Sequence, residues 1–254
     1  MKKYQGYLID LDGTMYRGSE KIEAAGRFVQ RLVEHNISYL FVTNNSTRTP
    51  EQVAEKLRSF DIPATKEQVF TTSMATANYI EEIDKNATVY YIGEVGLQTA
   101  LEEKGFRFAG ENADVVVVGL DREITYEKLA VACLAIRNGA KFISTNGDFA
   151  LPTERGFMPG NGALTALIST STQVQPIFIG KPETIIIEQA LKVIGSDKTE
   201  TLMVGDNYDT DIAAGIRTGL DTLIVHTGVT SKEKLKEFRE QPTYSIDSLD
   251  EWKF

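Results

Sequence analysis

Two carboxylates two positions apart and followed by glycine, in the run Asp10-Leu11-Asp12-Gly13-Thr14, are suited to two linked roles. One carboxylate can attack phosphorus and form an aspartyl-phosphate. The other can protonate the leaving oxygen and then activate a water molecule. The pair follows an apolar run, Tyr7-Leu8-Ile9, that reads as a short buried strand. An acidic turn after a strand has the same composition, because Asp and Gly are common turn residues. The rest of the chain must decide between the two.

Three further polar groups follow apolar runs. Ser38-Tyr39-Leu40-Phe41-Val42 reads as a strand and leads into Thr43-Asn44-Asn45-Ser46. Gln175-Pro176-Ile177-Phe178-Ile179-Gly180 leads into Lys181-Pro182, and Thr201-Leu202-Met203-Val204-Gly205 delivers Asp206, with Asp211 five positions on. In open parallel sheets ligands bind beyond the C-terminal ends of the strands. With these four stretches, DLDGT (10–14), TNNST (43–47), GKP (180–182) and GDNYDTDI (205–212), the chain resembles the haloacid dehalogenase superfamily and, within it, the NagD-like phosphatase branch. The stretches span almost the whole chain.

Bulk properties are ordinary for a soluble globular protein. The chain has 254 residues, of which 42% are apolar and 25% charged. No apolar run approaches the roughly 20 residues of a membrane helix. Asp10 and Asp12 interrupt any signal-peptide core after Lys2 and Lys3. One cysteine, Cys133, lies in an apolar helical pattern, reads as inert core and cannot form an internal disulfide. A reducing, cytoplasmic location is expected. The net charge of −9 argues against a nucleic-acid partner, since phosphate backbones select basic surfaces. It leaves room for a small phosphate ester held by a bound cation and one lysine.

Spacing sets the organisation. Asp10 and Thr43 are 33 positions apart, which fits one strand–helix–strand unit with its helix over Glu23–Glu34, where Phe28, Leu32 and Val33 form one stripe. The 138 positions from Thr43 to Lys181 are too long for a single crossover and hold their own alternation of strands and helices. Strands are predicted at Thr88–Ile92, Val115–Val118 and Phe142–Ser144, and helices at Gly96–Lys104 and Tyr126–Arg137. The expected fold is α/β: a Rossmann-like parallel core sheet from residues 1–84 and 179–254, interrupted by a large α/β cap domain at 85–178. The short first interval and the long second one resemble the branch whose large cap covers the site.

The resemblance also implies roles. Asp10 would be the nucleophile and Asp12 the acid and base. Mg²⁺ would be held by Asp10, the main-chain carbonyl of Asp12 and Asp206, with Asp211 orienting the site. Thr43 and Asn44 would bind the phosphoryl oxygens through hydroxyl and main-chain N–H, and Lys181 would bridge Asp10 and the phosphate. The superfamily's ATPases resemble one another in carrying Thr where this chain has Asp12. A carboxylate there favours rapid hydrolysis of the aspartyl ester. A calcium loop fails at its fifth and twelfth positions, which are Thr14 and Lys21.

Other chemistries lack their residues. Arg137 stands four positions after Cys133, the wrong spacing for a cysteine phosphatase, and His35 and His226 are the only histidines. Gly180-Lys181 continues into proline and forms no P-loop, and Gly160-Asn161-Gly162 follows no predicted strand, which weakens a dinucleotide reading. The expected activity is Mg²⁺-dependent hydrolysis of a small phosphorylated metabolite, a sugar phosphate or a nucleotide monophosphate. A phosphotransferase, or a metabolite-binding protein without catalysis, is the alternative. The cap would exclude water and could mediate self-association. The polar, glycine-rich stretch from Ser144 to Gly162 is expected to be a loop. Many NagD-like proteins read Asn-Pro-Asp where this chain has Asn146-Gly147-Asp148, and Asn146 or Asp148 is expected to contact the leaving group.

Overall fold

The computed structural model describes residues 2–153 and 155–254; Met1 and Glu154, the latter within the expected loop, lie outside the described residues. The chain divides into two compact units. One comprises Met1–Thr43, Pro50–Phe70 and Lys181–Phe254, and the other Asn44–Thr49 and Thr71–Gly180.

The first unit is built on a six-stranded parallel sheet. Its strand order is Tyr244–Ile246, Asp221–Val225, Thr201–Gly205, Gly6–Ile9, Ser38–Thr43, Val69–Thr71. The strands Gly6–Ile9 and Thr201–Gly205 are buried along their whole length, as expected of a sheet covered on both faces. The chain leaves Gly6–Ile9 toward one edge and later restarts from Thr201–Gly205 toward the other. These neighbours therefore flank the point where winding reverses, the usual place for a ligand crevice. The helix Glu23–Glu34 forms over the expected residues. Its buried stripe is Phe28, Val29 and Leu32, while Val33 is 43% exposed. Five positions on from Phe28 turns Val33 well off the face that Leu32, four positions on, shares. A short hairpin, Tyr16–Arg17 with Glu20–Lys21, was not foreseen; Gly18 turns it with φ 57°.

The second unit holds a five-stranded parallel sheet in the order Ile177–Phe178, Lys141–Ser144, Val115–Val118, Thr88–Ile92, Arg107–Phe108. Its helices are Thr72–Asp84, Val95–Glu103, Tyr126–Arg137 and Asn161–Thr172. Cys133 is only partly buried, against the apolar cluster that includes Val116, Ala132 and Ile168.

Three further expectations need correction here. The stretch from Ser144 to Gly162 is not a plain loop: Ala150–Thr153 and Gly156–Pro159 pair as an antiparallel hairpin, and Asn161 opens a helix. Apolar Leu151, Phe157 and Met158 supply the strand residues, and Gly156, at φ 107°, closes the turn. Gly160-Asn161-Gly162 therefore does follow a strand. That strand is one arm of a hairpin and not of a strand–helix–strand unit, so a dinucleotide fingerprint stays weak. The run before Lys181 contributes its strand, Ile177–Phe178, to the edge of this second sheet, and among the described residues no strand of the first sheet leads into Lys181. Among the described residues, no helix is long and apolar enough to cross a membrane.

Candidate active site

The parallel register Ile9↔Val204 brings Asp10 and Asp206 out beyond neighbouring strands at the reversal point. Adjacent strands lie about 4.8 Å apart, so two carboxylates at these ends must face each other or a shared counter-charge. A third joins them. After Gly205 the chain makes a five-residue π-helical turn, Tyr208–Ile212, in which the Asp211 carboxylate accepts the Asn207 N–H at 3.1 Å. Such wide turns recur at functional sites. Carboxylate oxygens of Asp10, Asp206 and Asp211 all lie within 4.8 Å of one another.

Lys181 supplies the counter-charge. Its Nζ lies 2.6 Å from Asp10 Oδ1 and 2.8 Å from Asp211 Oδ1, and it donates to the Val42 carbonyl at 2.9 Å. The lysine is 2% exposed. Burial alone lowers its pKa, but the charges of Asp10 and Asp211 and its hydrogen bonds to them outweigh that and hold it above the usual lysine value. One ammonium does not neutralise three carboxylates. Burial, with the nearby charges of Asp10 and Asp211, pushes Asp206 up to about 8. Burial, with the charge of Asp10, pushes Asp211 up to about 6, against the opposing effect of Lys181.

This donor set fits a metal. A hard divalent cation bound by a few carboxylate oxygens would offset the excess negative charge that otherwise favours protonation. The protein also builds a frame around Asp206. The Val229 N–H donates to Asp206 Oδ2 at 2.7 Å, and the Thr14 hydroxyl lies 3.2 Å from Asp206 Oδ1 and 3.4 Å from Asp10 Oδ2. Thr227 donates to the Gly13 carbonyl at 2.6 Å. Gly13, at φ 94°, and Gly228 both pass so close to the Asp206 carboxylate that a Cβ at either would overlap it.

The expected site residues fall into two groups. Asp10, Lys181, Asp206 and Asp211 come together in the first unit, and Thr43 is buried at the end of its own strand there. Asp12 is exposed, outside the carboxylate cluster, with its Oδ1 3.5 Å from the Gly18 N–H. Asn44, Asn146 and Asp148 meet in the second unit. The Asn44 amide donates to Asp148 Oδ1 and Oδ2 at 3.3 and 3.4 Å, and the Asn146 amide donates to the Asn44 carbonyl at 2.8 Å. The supporting parts Thr14, Thr227, Gly228 and Val229 were not picked out from the sequence. Thr14 is the last residue of the Asp10–Thr14 run. The Thr-Gly pair just past the apolar run Leu223-Ile224-Val225 was the available signal for the other three.

A family model of haloacid dehalogenase-like hydrolases matches residues 7–107, and a HAD-hydrolase-like model matches 178–252. The chain is 68% identical over 252 residues to the 5'-nucleotidase YutF of Bacillus subtilis, covering 99% of this chain and 98% of that protein. The chain belongs to the haloacid dehalogenase-like hydrolases. Within them it is NagD-like. The same hydrolase is 55% identical to an acid sugar phosphatase of Staphylococcus epidermidis, over 98% of this chain and 97% of the relative. A crystal structure of a thermostable NPPase double mutant from Geobacillus stearothermophilus superposes with a TM-score of 0.95 at 72% identity, covering 100% of this chain and 99% of the other.

Proposed function

We propose that this hydrolase removes phosphate from small phosphorylated metabolites, sugar phosphates or nucleotide monophosphates, through an aspartyl-phosphate on Asp10. The observation that carries the reading is the Asp10 carboxylate held 2.6 Å from Lys181 in a buried cluster with Asp206 and Asp211. The chain is a phosphatase, as its family and its similarity to a 5'-nucleotidase and an acid sugar phosphatase support. The two relatives' substrates define the metabolite classes to test.

Lys181 fixes one oxygen of Asp10, and the fold keeps the carboxylate in a buried setting where electrostatic stabilisation is strong. Asp10 attacks phosphorus, and the bond to the leaving oxygen breaks as Asp12 gives that oxygen its proton. Asp12 then takes a proton from water. The resulting hydroxide attacks phosphorus, the Asp10–phosphorus bond breaks, and inorganic phosphate leaves with Asp10 regenerated. The exposure of Asp12 supports this exchange of protons with solvent. Mg²⁺, held by Asp10, Asp206 and the Asp12 carbonyl with Asp211 beside them, would supply charge neutralisation for the phosphate when bound. Thr43 and Asn44 are proposed to bind the phosphoryl oxygens. Of the two proposed leaving-group contacts, Asp148 keeps accessible surface, whereas Asn146 is 4% exposed.

Asp10→Asn tests the mechanism because it keeps size and removes the attacking charge. Turnover of 4-nitrophenyl phosphate should fall by about 10³-fold or more. Retention of more than a tenth of the wild-type kcat refutes covalent catalysis by Asp10. Chelation should silence the wild-type enzyme and Mg²⁺ should restore it; full activity in EDTA refutes the metal assignment.

A further inference from the structure

The second unit contains a buried polar network that ends on Asn44. Asn161 stands at the first turn of the helix Asn161–Thr172 and is 2% exposed. Its amide nitrogen lies 2.7 Å from the Asn146 carbonyl, 3.0 Å from Ser144 Oγ, 3.2 Å from Thr145 Oγ1 and 3.3 Å from the Val118 carbonyl. It thus ties together the ends of two neighbouring strands and the chain leaving one of them. Its own oxygen, Oδ1, is buried with no hydrogen-bond partner. A buried acceptor left unsatisfied costs free energy, so the donor end is held at the expense of the other.

Asn146 continues the network. Both ends of its amide are engaged: Nδ2 donates to the Asn44 carbonyl at 2.8 Å, and Oδ1 accepts the Asp148 N–H at 3.1 Å. The Asn44 amide in turn reaches Asp148. The peptide group is planar, so fixing the Asn44 carbonyl also fixes the direction of the Asn45 N–H. The backbone just after Thr43 is therefore held by a side chain about a hundred residues away in sequence. A side chain with both polar ends occupied and almost no accessible surface is poorly placed to recognise a variable leaving group.

We infer that Asn146 is a positioning residue for the segment 44–45, buttressed by Asn161, and that specificity falls to Asp148. The inference rests on the proposed phosphate-binding role of Thr43 and Asn44. It predicts that loss of Asn146 weakens binding of the group common to all substrates, the phosphate itself. Loss of Asp148 acts on the part that differs between substrates.

The test is inorganic phosphate as a competitive inhibitor, with KM and kcat for a sugar phosphate, a nucleoside monophosphate and 4-nitrophenyl phosphate. Asn146→Ala should raise the phosphate inhibition constant about tenfold, the effect of losing a strong hydrogen bond, and raise KM for the three substrates by one common factor. Asn161→Ala should act in the same direction, and should add no further change in the Asn146→Ala background, because it acts through residue 146. Asp148→Ala should change kcat/KM unequally among the substrates. Thr43→Ala separates the two levels. If it weakens phosphate and Asn146→Ala does not, the positioning role is overturned while the phosphate site stands. If Thr43→Ala leaves phosphate inhibition unchanged, the phosphate-site reading fails and the inference falls with it. Hydrogen exchange across residues 44–47 guards against a mere folding defect: exchange must quicken there in Asn146→Ala while the melting temperature stays well above assay temperature. Unchanged exchange refutes the positioning role, and so does a substrate-dependent Asn146→Ala effect.

Discussion

Lys181→Met removes the Lys181 ammonium from the carboxylate cluster while keeping much of its volume. In the folded protein Nζ lies 2.6 Å from one carboxylate and 2.8 Å from another. At an effective dielectric of about 20, each such contact carries roughly 6 kcal/mol of attraction. The desolvation of a lysine that is 2% exposed cancels much of that. What remains is the measured range for breaking a buried ion pair, about 3–5 kcal/mol, because Asp10 and Asp211 are left buried beside Asp206 with no counter-charge. In a chain of this length about 1 kcal/mol moves the melting temperature by about 2–4 °C, so Lys181→Met should melt roughly 6–20 °C below wild type in EDTA. Mg²⁺ should recover more of that difference in the variant than it adds to wild type, since it meets a more negative cluster. Turnover should not recover: without Lys181, Asp10 is no longer aimed, and a loss of about 10²–10³-fold in kcat is expected from a removed charge stabiliser. Calorimetry in EDTA and in saturating Mg²⁺, with 4-nitrophenyl phosphate turnover, reads all three quantities. A variant that melts within about 2 °C of wild type in EDTA, or keeps kcat within tenfold, refutes the view that this ion pair organises the site.

Three further outcomes follow from the geometry. Asp12→Ala should leave Mg²⁺ affinity unchanged, because the exposed Asp12 side chain lies outside the carboxylate cluster, yet slow both formation and breakdown of the phosphoenzyme; loss of Mg²⁺ affinity in titration calorimetry would make Asp12 a side-chain ligand. Gly228→Ala should weaken Mg²⁺ binding and lower kcat at least about tenfold, because the added methyl overlaps the Asp206 carboxylate and approaches Gly13 Cα to 2.9 Å; unchanged affinity and rate would show that this loop does not hold Asp206. Gln189→Met should raise the melting temperature, because both polar atoms of a side chain 4% exposed are buried without a partner, and removing them recovers about 1–3 kcal/mol; a lower melting temperature refutes that account.

The central strands of both sheets and the helices Glu23–Glu34, Val95–Glu103 and Tyr126–Arg137 were legible because their signals are local. Val115–Val118 and Thr201–Gly205 are short apolar runs bounded by polar residues, and both strands form over those residues. Tyr126–Arg137 carries its own N-cap, Thr125, which accepts the Lys128 N–H at 3.2 Å. The hairpin Ala150–Thr153 and Gly156–Pro159 was not legible in this way. Its strands are short and interrupted by Pro152, so composition read as loop, and only cross-strand pairing makes it a hairpin. The residues Asp10, Asp206 and Lys181, which the structure brings together, could be singled out by type and place, since each follows a short apolar run.

The support for those residues was less visible, for a physical reason. Val229 holds Asp206 with a backbone N–H, which no side-chain pattern reveals. Gly228 contributes by having no side chain. Asn161 and Asn146 act through amides that are also common in turns, and their partners lie as far off as Asn44 and Val118. Sequence patterns expose the charged groups of the cluster because their charge is costly to bury and demands an explanation. Groups that only aim those charges are neutral, small or main-chain. They are recognisable only by what they exclude: a second orientation for Asp206, a methyl at position 228, a freely turning Asn44 carbonyl. The mutations that best separate aiming from chemistry are therefore Gly228→Ala and Asn146→Ala, because each changes geometry while leaving every charge of the cluster in place.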